Sequence, residues 1–305
     1  MKRAVLLALS LALAACSLVA AGPTSAPTTT AAPATTTTSA TTTTVLTTTT
    51  IATAPPTTLP PTTTTTTLPP GVTEPPDWLG TRPLPLDDDG DPIALPTPQE
   101  LSDRRFTTPD HLPRPPDDEF TSTISPIPPD VLARSTWVEG CPTGIDDLAY
   151  ITLTFRGFDG LAHTGELIVA ASVAEDIVGV FEKLYEADFP IEEMRITPPE
   201  FLDADPTGDG NDTESFVCRP ATGGTSWSQH AFGLAIDINP FHNPYLRGDV
   251  LIPELAGDYL DRGRALPGMI VEGDVVTDAF DAIGWGWGGR WNTLKDWQHF
   301  SQSGT

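Results

Sequence analysis

An α+β domain, with helices packed on a small antiparallel sheet, is what the C-terminal part of this 305-residue chain predicts. Three observations point to it. Two apolar-alternating runs flank a Gly-containing connection, as strands of a hairpin do. Two other runs place apolar residues at helical spacing behind a capping residue. A stretch of almost pure Thr, Pro and Ala lies ahead of all of them and cannot join a core.

The elements follow in order. Tyr150–Phe155 alternates and reads as a strand, Glu166–Ala170 as a second, with Gly157–Gly165 between them. Ser172 reads as a helix cap, with Glu175 three residues on as in a capping box. Ile177, Val180, Phe181, Leu184 and Tyr185 then recur at helical spacing until Pro190. Arg195-Ile196 suggests a strand edge. Leu234, Ile236 and Ile238 alternate with Ala235, Asp237 and Asn239 as a further strand. Asp274 is placed to cap a second helix through Val276, Ala279, Phe280 and Ile283, closed by Gly284.

The rest of the chain predicts export. Residues 1–16 read as a lipoprotein signal peptide: Lys2 and Arg3 precede an apolar run too short to span a bilayer, and Leu13-Ala14-Ala15-Cys16 resembles a lipobox, with Cys16 as the lipidated residue. An ordinary signal peptide that happens to contain Cys16 is the other reading. Residues 17–116 are expected to form a disordered Thr/Pro-rich linker that partly wraps the domain near its end, and residues 117–305 the folded domain. Membrane attachment is expected through the lipid anchor only. The localisation expected is extracytoplasmic, anchored to the cell membrane or secreted into the wall. The net charge of −25 argues against nucleic acid as a partner. Outside the leader, Cys141 and Cys218 remain. An exported chain favours a bridge between them over two buried thiols, and the loop of about 77 residues would contribute roughly 3–5 kcal/mol. A monomer is expected.

Five histidines are present, and two have informative surroundings. His230 lies in Ser226-Trp227-Ser228-Gln229-His230-Ala231-Phe232-Gly233-Leu234-Ala235-Ile236-Asp237. Asp237 is flanked by Ile236 and Ile238, where a carboxylate is costly to bury unless paired or bound to metal. His299 lies in Lys295-Asp296-Trp297-Gln298-His299-Phe300. Two imidazoles and a carboxylate are ordinary zinc ligands, and a catalytic zinc leaves a position open for water. His230, Asp237 and His299 can supply the ligands and Asp296 the base, provided a bend brings Asp296 to the side of His299. For any one of these residues, a hydrogen-bonded core or turn role is the alternative.

The string Ser228-x-His230-x-x-Gly233-x-Ala235-x-Asp237 with a late Asp296-x-x-His299 resembles the zinc D-alanyl-D-alanine carboxypeptidase/dipeptidase family, which shares its fold with the hedgehog signalling domain. The resemblance covers about 137–300. It implies one Zn2+ on His230, Asp237 and His299, Asp296 as general base and acid, and Arg219 as the group that steadies the oxyanion. Ser228 supports the His230 loop and is not a nucleophile. Many relatives carry Glu where Asp296 stands, so the side chain here is one methylene shorter. The implied substrates are peptidoglycan stem peptides, cut by a carboxypeptidase or an endopeptidase. A zinc-containing module that binds wall peptides without cutting is the alternative, and a non-enzymatic adhesin on a Thr/Pro stalk a third. Asp203–Glu214 nearly fits a calcium loop, so Ca2+ is a possible second ion, against the plainer reading of an acidic surface loop. Trp285, Trp287 and Trp291 either line a peptide groove or pack the core.

Overall fold

The computed structural model describes residues 68–222 and 224–305. The leader, Cys16 and most of the Thr/Pro tract lie outside the described residues.

Strand β1 (Ser122–Ser125) and a short helix α1 (Pro129–Ala133) lead into the long hairpin of β2 (Leu148–Arg156) and β3 (Ala162–Ala170). The three strands form an antiparallel sheet in the order β1-β2-β3. The hairpin pairs nine residues on each side, from Leu148↔Ala170 to Arg156↔Ala162. Helix α2 (Ala174–Glu186) follows. Its start differs from the expectation, because Ser172 lies in a 3-10 turn at Ala171–Val173 and caps nothing; Glu175 still sits in the first turn, where an acid suits the helix dipole.

Next come β4 (Glu193–Met194), two positions before the expected edge, and β5 (Asp212–Thr213), which pair in parallel. Then come β6 (Ala235–Asp237), β7 (Tyr245–Arg247) and β8 (Val250–Ile252). Asp274 caps α3 (Val275–Ala282) as expected, its side chain accepting from the Thr277 amide at 2.9 Å. β9 (Gly286–Trp287), β10 (Lys295–Asp296) and β11 (His299–Ser301) complete the chain. β11 lies between β6 and β9, and β7 lies between β10 and β8. The α+β expectation holds, but the sheet is divided into several small ones.

One large core joins these layers. Ile151, Leu153, Phe155, Leu167 and Val169 of the hairpin meet Ile177, Phe181 and Leu184 of α2. Val276 and Phe280 of α3 and Ile236 and Phe300 of the β6-β11-β9 sheet close it. Trp285 and Trp287 are buried in the same core; Trp285 packs on Phe280 and Trp287 on Phe300, so neither lines a groove.

The domain starts earlier than residue 117. Leu84, Leu101 and Phe106 are buried with Phe241, Leu255, Tyr259 and Met269 in a second core. Arg104, 2 % exposed, forks onto Glu192, with Nε 2.9 Å from Oε2, and its Nη1 donates to the Asp209 carbonyl at 2.6 Å. The scattered apolar residues of this stretch lack a period, so they read as linker, yet they pack as irregular chain. Cys141 and Cys218 form a disulfide with a Cα–Cα separation of 5.9 Å. Among the described residues no helix is long and apolar enough to cross a membrane.

Candidate metal centre

Two segments distant in sequence meet through strand pairing. β6 and β11 run antiparallel with Asp237 directly opposite His299. Directly opposed residues share a face, so both side chains leave the sheet on one side, while Ile236 and Phe300 go into the core. His230 arrives from the 3-10 turn Gln229–Phe232, which Ser228 caps by accepting the His230 amide at 3.3 Å. Gly233 ends that turn at φ +66°, and a Cβ there would lie 2.4 Å from the Ala170 nitrogen. The glycine thus lets the turn dock on the end of β3, where its carbonyl accepts the Ala170 amide at 2.9 Å.

Three donor atoms converge. His230 Nε2 lies 3.2 Å from His299 Nδ1 and 3.3 Å from Asp237 Oδ2; His299 Nδ1 lies 2.9 Å from Asp237 Oδ1. All three residues are buried, and their ligand atoms lie within 4.8 Å of one another. The carbonyl of Ser215 is 2.6 Å from His230 Nδ1. A carbonyl only accepts, so Nδ1 carries the proton and Nε2 keeps its lone pair toward the other two. Burial pushes the Asp237 carboxyl up, but the charges and hydrogen bonds of His230 and His299 outweigh it and hold it well below its ordinary range. Burial pulls His230 down; Asp237 and Glu214 overcome this and raise it. Two ring nitrogens facing each other beside a buried carboxylate are a donor set that suits zinc.

Asp296 is brought in by the expected bend. The chain turns at Trp297-Gln298 between β10 and β11. Burial, helped by the Asp237 charge, pushes the Asp296 carboxyl up to about 7, against the pull of His299, Gln298 and Arg219. Its Oδ1 is buried and has no hydrogen-bond partner among the described residues. Gly288 makes room for it, since a Cβ there would stand 2.5 Å from the Asp296 carbonyl oxygen.

Arg219 follows the disulfide directly. The Cys218 amide donates to Thr136 Oγ1 at 2.9 Å, and the Arg219 carbonyl accepts the Ser228 amide at 3.2 Å. The guanidinium reaches only the Pro220 carbonyl at 3.2 Å and Thr222 Oγ1 at 3.5 Å, so it makes no ion pair among the described residues. Trp291 stands beside His299, ring centres 5.5 Å apart.

Sequence reasoning missed the segment Glu214-Ser215. Ser215 orients His230, and Glu214 exchanges backbone hydrogen bonds with Asp237 (3.1 and 2.9 Å). Burial, with Asp237, raises the Glu214 carboxyl against the influence of His230, Thr197 and Arg219. The signal was present but was absorbed into the calcium-loop pattern, which does not form. Asp203 and Asp205 are exposed, Asp209 accepts from Gly80 N and Thr207 Oγ1, and Asp212 accepts from Arg195. Among the described residues only the His230, Asp237 and His299 group is close enough to hold a metal ion.

No curated protein and no solved structure matches the chain. The family model described as D-alanyl-D-alanine carboxypeptidase matches residues 222–302, the segment that supplies His230, Asp237, Asp296 and His299. Over that segment the chain is similar to the D-alanyl-D-alanine carboxypeptidase family.

Proposed function

We propose that this protein is a zinc metallopeptidase that hydrolyses peptide bonds in peptidoglycan stem peptides, outside the cytoplasm. The observation that carries the reading is the convergence of His230 Nε2, His299 Nδ1 and an Asp237 oxygen beside a buried carboxyl, Asp296, with an orphaned oxygen. Domain organisation is part of the proposal: an exported leader ending at Cys16, a Thr/Pro spacer, and a peptidase domain that begins ahead of Val72.

His230, Asp237 and His299 would hold the zinc. When bound, it supplies the Lewis acidity that makes water a nucleophile near neutral pH. Asp296 accepts the proton of the attacking water at its free Oδ1, a task suited to a carboxyl raised toward neutrality. Arg219, its guanidinium uncommitted to any carboxylate among the described residues, donates to the substrate carbonyl oxygen as charge develops there. Asp296 then returns its proton to the leaving amine. Ser228 and Ser215 position His230 from its two sides.

The test incubates the full chain with purified peptidoglycan, with zinc and after chelation, and reads released fragments by mass spectrometry. Zinc-dependent release of D-alanine or a defined stem peptide, absent in His299→Ala, is expected and identifies the bond. A folded, zinc-loaded protein that releases nothing from several wall types is the outcome that ends the peptidase reading.

A further inference from the structure

Glu214 stands in the same row as two of the proposed metal ligands, and neither the mechanism nor the family motif uses it. It pairs directly opposite Asp237, which pairs directly opposite His299. Both pairings are antiparallel, so the three side chains leave the sheet on one face. Thr197, itself buried, donates to Glu214 Oε2 at 2.5 Å and fixes the carboxyl group. That leaves Oε1. No donor among the described residues reaches it, and no Arg, Lys or His nitrogen comes within ion-pair distance of the group.

A half-buried carboxylate held still beside a reaction centre accepts hydrogen bonds only. Its Oε1 is open to solvent and takes no donor from the described residues, so it can accept one from a ligand. The partner that fits is a positively charged N–H donor, because a charge-assisted bond is stronger than a neutral one and an anion would be repelled. Since the described residues supply none, the site leaves this oxygen to a donor carried by what enters it. We propose that Glu214 is a specificity residue that receives a cationic amine carried by the peptide substrate near the bond that is cut. The proposal rests on the peptidase reading above. The amine has two possible sources, the free N-terminus of a short peptide or the side chain of a diamino residue.

The test measures binding by calorimetry to the full, zinc-loaded chain carrying Asp296→Asn, which slows cleavage during the titration, with and without Glu214→Gln. Glutamine keeps the length and can still accept from Thr197. The ligands are D-alanyl-D-alanine and its N-acetyl form, and Nα-acetyl-L-lysyl-D-alanyl-D-alanine with the side-chain amine free or acetylated. Glu214→Gln is expected to weaken at least one free-amine ligand by about ten-fold or more and to leave the acetylated forms unchanged. Whichever amine loses its advantage identifies the source. Equal weakening of free and acetylated ligands, no weakening, or loss of zinc from the Glu214→Gln protein overturns the proposal and leaves the peptidase reading standing. If no peptide binds either protein, the peptidase reading falls and takes this one with it.

Discussion

In the proposed reaction Asp296 and Arg219 have different tasks, and their replacements should fail differently. Asp296→Asn keeps the volume but accepts no proton; kcat is expected to fall by about 10²–10⁴ with zinc content unchanged, measured by steady-state kinetics and metal analysis. Arg219→Ala removes a donor to the developing charge and should cost about 10²–10³ in kcat, with Lys restoring part of it. His299→Ala removes one of the proposed ligands, so metal and activity should disappear together. The site was legible at this scale where chemistry was at odds with surroundings. Asp237 between two isoleucines, and two histidines among glycines and aromatics, pointed to metal before any contact was known. Ser215 was not legible, because its contribution is a backbone carbonyl that every residue has.

At the scale of elements, regular pieces were readable and irregular ones were not. The hairpin and both longer helices follow from period 2 and period 3.6, and the Asp274 cap from its side-chain chemistry. The segment from Val72 to Phe106 has neither period, so its burial could not be read from spacing. The acidic loop shows the opposite error, in which a matching pattern met carboxylates already committed to Gly80, Thr207 and Arg195. The disulfide joins these themes, because it anchors the residue before Arg219. Removing it as Cys141→Ala/Cys218→Ala should lower stability by roughly 3–5 kcal/mol through the 77-residue separation it closes, read from denaturant unfolding of both proteins.

For the whole molecule, the early segment is part of the fold. Arg104 neutralises Glu192 in a site where both are 2 % exposed. Removing one member of such a pair leaves a buried charge, so Arg104→Ala should destabilise by about 3–5 kcal/mol, and a chain begun at residue 117 should not fold to the full domain. Circular dichroism and protease resistance of the two proteins check this. His242 gives a pH signature. It is fully buried, which lowers its pKa to about 3, with nearby Arg104 and Arg262 adding to the effect despite the bond to the Arg104 carbonyl. The unfolded chain therefore binds this proton first. The contribution of His242 is complete above about pH 6.5 and is lost as pH falls from there toward about 3, by up to about 1.4 kcal/mol per unit. Unfolding midpoints between pH 7 and 4 should fall less steeply in His242→Gln than in the unaltered protein.

The central place of β11 also has a meaning in time. His299 sits on a strand with neighbours on both sides, and Asp237 sits on one of those neighbours. Separating the two residues means parting paired strands over a core of Phe280, Phe300 and Trp287, which is an event close to global unfolding and not the swing of a loop. Exchange of an ion held by these residues should therefore be paced by the opening of the protein. A chelator would extract the metal at a rate that no longer rises with chelator concentration, and mild denaturant would speed the loss before it changed the fold at equilibrium.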